Sequence, residues 1–242
     1  MSSSIWMQCE GVSRLRALRV EAWRVVEAQH EVSTRKLVSS VAEQELLEEM
    51  VERVKPPAVS TGHELSNLHY LLTTPFRYAP LKHGSRFGTR SERGIWYGAE
   101  TLRTALAEVA HYRMRFINAS HAELGLVTSA LTAFTVHMRT AAGGVDLVSP
   151  PFDAFRNDIA HTESYAATQL LGRAMRDAGV ELWRWPSARD ADGGVCVGAF
   201  TPAVFAATKP KLFETWHCAA DRSRVEFVRG GFGVRQVMAF GS

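Results

Sequence analysis

The sequence predicts one domain of the α+β class over residues 1–242. Three observations carry that expectation. A composition that is 46% hydrophobic and 22% charged suits a single core at the upper end of single-domain length. Two stretches, one starting at Thr101 and one over 164–178, repeat apolar residues at helical spacing. Stretches 131–138, 180–185 and 212–238 instead carry the apolar content and alternation of strands.

Taken in order, residues 11–54 read as largely helical, with a strand over 23–26. Within them 41–54 places Val41, Leu46, Leu47, Met50, Val51 and Val54 near one face, and Lys55, Pro56 and Pro57 end it. The other face carries Glu43, Glu45, Glu48, Glu49 and Glu52. It reads as a solvated face, or as a contact for a partner protein or a second copy in a homodimer. Residues 30–60 are thus expected as a helical insertion or extension of the domain, 56–62 as a turn and 65–72 as a short apolar piece. His63 and His69 lack a third ligand nearby, so no metal is expected.

The central stretch, 84–113, reads GSRFGTRSERGIWYGAETLRTALAEVAHYR. Gly84 and Gly88 flank Arg86, and a compact loop holding an arginine suits forked hydrogen bonds to a phosphate. Such arginines are also ordinary turn residues. Trp96 and Tyr97 alternate faces of a short strand, one for the core and one free to stack on a ring. Thr101 is a fitting N-cap for the helix that follows, in which Leu102, Ala105, Leu106 and Val109 share an arc. Glu108 falls at the edge of that arc, so its carboxylate is expected to be half-buried.

Further on, 131–138 and 145–148 read as two strands joined by a turn at Gly143 and Gly144. Pro150 and Pro151 mark a loop, and Gly179 stops the helix over 164–178. The strand over 180–185 leads to Pro186 and Ser187, and 212–238 makes two or three strands turning at Gly230, Gly231 and Gly233.

The segments GSRFG, GIWYGAE, TALAEVAHYR and WPSARD together resemble the RES family, named for its arginine, glutamate and serine. The likeness extends to AWRVVEAQH at 22–30, HYLLTTPFRYAPL at 69–81 and SYAATQLLGRAMRDAG at 164–179. It implies a mixed or antiparallel β core related to ADP-ribosyltransferases and a toxin that consumes NAD+. Carried over by position, the family arginine is Arg86, its tyrosine Tyr97, its glutamate Glu108 and its serine Ser187. A further arginine of the first strand falls on Arg24, with Arg77 as the competitor for that role. Phe87 and Gly88 stand where many members carry tryptophan and asparagine, and the amino-terminal segment makes this chain longer than compact members.

The implied chemistry is cleavage of the nicotinamide–ribose bond. Nicotinamide leaves neutral from a cationic ring, so one carboxylate suffices where ordinary glycosides need two. On this reading Glu108 stabilises the oxocarbenium-like transition state, Arg86 with Arg24 or Arg77 holds the diphosphate, Tyr97 positions the nicotinamide ribose or ring, and Ser187 completes the polar contacts. NAD+ is then a substrate, with no separate cofactor. Water or phosphate is the acceptor, and transfer to a protein target or an inert NAD-binding module are the alternatives.

The implied partner is a cognate Xre-like antitoxin. With 28 basic against 25 acidic residues, no nucleic-acid-binding surface is expected on this chain itself. Cys9, Cys196 and Cys218 have no metal or disulfide spacing. No apolar run has the length of a signal peptide or membrane span, so a cytoplasmic protein is expected.

Overall fold

The computed structural model describes residues 4–28, 43, 67–78, 82–231 and 234–241. Its eight strands are β1 (Arg16–Glu27), β2 (Trp96–Ala99), β3 (Val127–Asp146), β4 (Leu182–Pro186), β5 (Val195–Ala199), β6 (Lys211–Ala220), β7 (Arg224–Gly231) and β8 (Val234–Gly241). They lie in the order β1-β2-β5-β4-β3-β6-β7-β8, and β1 also pairs with β3. The first five strands therefore close into a ring, and β6 to β8 extend from it as an antiparallel flap.

β3 makes this possible because it is long enough to serve three partners. Its first half pairs with β6 from Val127↔Ala220 to Thr135↔Lys211, while its other edge carries β1 from Leu131↔Glu27 to Gly144↔Arg16. Its last residues then join β4 in parallel, Gly144↔Leu182 to Asp146↔Arg184. The other strand pairings are antiparallel, so the core is a mixed sheet. Five α-helices accompany it among the described residues, and the chain is α+β.

Two expectations are corrected. Over 16–27 the largely helical reading gives way to the strand Arg16–Glu27, which contains the strand expected over 23–26 and is preceded by a short helix, α1 (Ile5–Gln8). β1 is held by pairing to β3, and only Leu18 and Ala22 are fully buried on it, so its alternation is faint in sequence. The turn at Gly143 and Gly144 is likewise absent, because β3 runs straight through both. Gly144 has a packing reason: a Cβ there would meet Leu18 Cβ at 2.5 Å and Arg16 O at 2.6 Å, where β1 shifts register. Apart from Glu43, which is helical, the helix expected over 41–54, the turn over 56–62, His63 and Gly233 lie outside the described residues.

The helices place the site. α2 (Tyr70–Arg77) begins within the apolar piece expected over 65–72 and packs Leu71 and Leu72 under Trp96 and Val204. α3 (Leu102–Ala119) starts at Thr101, whose Oγ1 accepts the Thr104 amide at 3.1 Å, and buries Leu106, Ala110 and Ile117 against Trp216 and Phe227. After a short α4 (Arg156–Ile159), α5 (Ala166–Asp177) ends at Gly179, which has φ 77°.

α5 presses directly on the arginine loop. A Cβ on Gly172 would lie 2.0 Å from Phe87 O, so only glycine lets the helix approach that backbone. Beneath the loop Phe87, Trp183, Trp185 and Phe200 form an aromatic cluster, with Phe87 edge-on to both tryptophans at 5.4 and 5.0 Å. No helix among the described residues is long and apolar enough to cross a membrane.

Candidate functional site

Residues 84–88 form the tightest turn of the site. Ser85 N donates to Gly88 O at 2.7 Å, which leaves Arg86 and Phe87 at the tip of a two-residue hairpin, and Gly84 supplies the positive φ of 73° at its base. Phe87 points into the aromatic cluster, and Arg86 is only 6% exposed. Its Nη1 donates to Ile159 O at 3.1 Å and His161 O at 2.9 Å, and the guanidinium lies 4.7 Å over the Tyr165 ring.

β2 holds the hairpin through Tyr97. The phenol oxygen pairs with Ser85 Oγ at 2.9 Å and accepts the Phe87 amide at 3.2 Å. Burial pushes the Tyr97 hydroxyl up to about 12, so it stays neutral and can bridge both groups. Its polar end is spent on shaping the loop, while the ring stacks edge-on to Trp185 at 5.7 Å.

Glu108 lies two turns into α3 and is half-buried, as its position on the arc predicts. Two donors converge on one of its oxygens. Ser187 Oγ donates to Oε1 at 2.7 Å, and Cys196 Sγ reaches the same atom at 3.4 Å. Ser187 Oγ in turn accepts the amides of Arg189 and Asp190, both at 3.1 Å, which directs its single proton to the carboxylate. Oε1 is thereby fixed.

The serine is itself tied to the same helix. Asp190 accepts from Thr104 Oγ1 at 2.8 Å and pairs with Arg103 at 3.3 Å, which links the 187–190 loop to the first turn of α3 one turn before Glu108. Arg86 contributes its charge to this group: it lowers the Cys196 thiol against burial and Glu108, which together raise it well above its ordinary value. Tyr112, one turn beyond Glu108, is half exposed and shares a 3.2 Å hydrogen bond with Tyr165. Ser187 and Glu108 are thus in direct contact, Tyr97 holds the Arg86 hairpin, and the charges of Arg86 and Glu108 both reach Cys196, which makes the four residues one connected site.

Arg24 and Arg77 are placed differently. Arg24, on β1, donates to Tyr97 O and lies over Trp96 at 5.4 Å, and burial pulls it down to about 10. It braces the back of β2. Arg77 ends α2 with its Nε buried and without a hydrogen-bond partner among the described residues.

Cys196, Tyr165, His111 and Asp190 are site residues that spacing did not single out. Cys196 sits in VCVGA, a strand that reads as core, and only the β4–β5 register brings it to Glu108. His111 was legible in principle, one turn after Glu108 on the same helix. Among the described residues no three His, Cys, Asp or Glu side chains gather as a metal site.

Removing the serine hydroxyl isolates its contribution. Ser187→Ala is expected to lower turnover about 10- to 100-fold, the worth of one hydrogen bond to a charged group, with the fold retained. Steady-state kinetics beside a circular dichroism spectrum checks this, and a loss below about threefold would show that Cys196 alone suffices to hold Oε1.

Comparison with known proteins adds a family. No curated protein matches the chain. Among solved structures, the crystal structure of the M. tuberculosis MbcT–MbcA toxin–antitoxin complex is a distant likeness, 12% identical with a TM-score of 0.46, covering 100% of this chain and 93% of that chain. The model of the RES domain matches residues 61–221, which is most of the chain and includes the arginine hairpin, Glu108 and Ser187. The chain belongs to the RES domain family.

Proposed function

We propose that the protein cleaves the nicotinamide–ribose bond of NAD+. The observation that carries this reading is the half-buried carboxylate of Glu108, its Oε1 occupied by Ser187 and Cys196 while Oε2 has no such donor among the described residues. A fixed carboxylate with one open oxygen can stabilise the positive charge that develops on the ribose as nicotinamide departs. It can also orient an attacking water or phosphate. Arg86 supplies a buried positive charge next to it, suited to the diphosphate, and Tyr97 holds the Arg86 hairpin in place.

Membership of the RES family supports a toxin acting on the cytoplasmic NAD+ pool and restrained by a cognate Xre-like antitoxin. Such a chain stops growth when expressed alone, and co-expression of the antitoxin gene relieves the arrest. NAD+ is consumed as substrate with no further cofactor.

The deciding experiment follows nicotinamide release from NAD+ by the purified protein with and without inorganic phosphate, identifying the second product by mass. ADP-ribose in both buffers identifies a glycohydrolase, and ADP-ribose-1-phosphate a phosphorylase. Absence of release, together with label from NAD+ on a protein, would replace this reading with mono-ADP-ribosylation. Absence of both would leave a module that only binds.

A further inference from the structure

A groove of about 550 Å³ runs along α3, between that helix, the 188–191 loop and the end of β8. Its floor is made of small or flexible apolar groups at helical spacing, Ala107, Ala110 and Met114, with Phe240 of β8 opposite. Phe240 is half-buried, braced edge-on by Phe227 at 5.9 Å and covered from one side by the Arg103 guanidinium at 5.4 Å, so its ring is held in place as a wall. A floor of alanines beside an aromatic wall leaves a slot for a flat ring.

The two ends of the groove differ in charge. At one, Arg103 is neutralised by Asp190 and Asp192, at 3.3 and 2.6 Å. At the other, Arg115 has no carboxylate partner among the described residues, and Arg189 reaches only the Thr162 carbonyl. His111 lies between these arginines with Nε2 buried and without a hydrogen-bond partner. Burial and the charges of Arg189, Arg115 and Arg86 hold its imidazole down at about 4, hence neutral. Both ends lie near Glu108 on α3: Arg103 precedes it, His111 follows it by one turn, and Ala188 of the groove wall follows Ser187.

Resting on the NAD+ reading, we infer that the groove receives the adenosine-phosphate half of the dinucleotide. A phosphate lies at Arg189, His111 and Arg115, and the adenine lies in the slot between Met114 and Phe240. The phosphate supplies the negative charge that this end lacks, and its oxygens accept from the guanidinium groups and from the imidazole. The reacting ribose is then carried toward Glu108, because the phosphate rests on His111, one turn beyond that carboxylate on α3. Arg86 serves the phosphate nearer the nicotinamide.

The test is equilibrium binding of ADP, which needs no turnover, to the wild type, Arg115→Glu and His111→Phe, with Arg139→Glu on an exposed face of β3 as the charge control. Arg115→Glu is expected to weaken ADP binding roughly tenfold or more, as loss of a charge-assisted contact does, and to raise KM for NAD+ in parallel while kcat holds within about twofold. His111→Phe weakens ADP binding with no change of net charge, and Arg139→Glu leaves it alone. ADP affinity equal in all four proteins overturns the groove, as does a loss confined to capture of an acidic partner protein. Groove-dependent ADP binding without nicotinamide release would overturn the cleavage reading and leave the groove standing. Nicotinamide release with KM indifferent to Arg115→Glu would do the reverse.

Discussion

Glu108→Gln is expected to reduce nicotinamide release from NAD+ by about 10³-fold while leaving the fold intact, as removal of a charge-stabilising group from a preorganised site does. The substitution keeps the shape of the side chain. Its amide oxygen can still accept from Ser187 Oγ and Cys196 Sγ, the two donors that hold Oε1. The amide nitrogen then occupies the open position and presents N–H groups where the ribose needs a negative charge. Binding of substrate is little affected, because the charge matters most once the ribose becomes cationic. Chromatographic measurement of nicotinamide under saturating NAD+ checks it. A variant within about threefold of the wild type would place the chemistry on another residue.

The second large effect concerns stability. Trp183→Ala should cost about 3–5 kcal/mol, the range for removing a buried aromatic side chain. Trp183 has no exposed surface and packs 4.1 Å from Phe200, 5.4 Å from Phe87 and 6.1 Å from Trp185. The cavity cannot easily refill. The strand facing it carries Gly198, whose missing side chain is what makes room for the indole, since a Cβ there would meet the Trp183 ring at 2.3 Å. Urea unfolding should show a lower midpoint with unchanged slope. Activity should also fall before global unfolding, because Phe87 loses its support and Arg86 sits next to it on the hairpin. An unchanged midpoint would mean that the neighbouring rings close over the gap.

What could be read from the chain depended on how local the cause was. α3 is legible because its apolar spacing and its Thr101 cap lie within one stretch, and Glu108 is half-buried for the reason its helical position gives. β6 to β8 are legible because consecutive strands meet through short turns. β1 is not, because its partner β3 lies over a hundred residues away and only that pairing turns a mixed run of arginines, alanines and valines into a strand. The glycine pair in β3 looks like a turn because its cause, the close passage of Leu18 and Arg16, is equally remote.

The same distinction runs through the site. Arg86 and Tyr97 lie on neighbouring local elements, and the family motifs mark them with Glu108 and Ser187. The thiol of Cys196 and the imidazole of His111 acquire their meaning from what folding brings beside them: a carboxylate in one case and three guanidinium groups in the other.

Ring closure also sets when, during synthesis, the site comes into being. β1 emerges early but waits for β3, and β2 waits for β5, which follows β4 and carries Cys196. A nascent chain that has not yet reached Ala199 has Glu108 in hand without Cys196 in its strand, and it lacks the pairing that aligns Ser187. Contacts between such distant segments form late and slowly. The growing polypeptide therefore carries Glu108 well before Ser187 and Cys196 are set against it, and the arrangement proposed to be reactive forms only once β5 has been made.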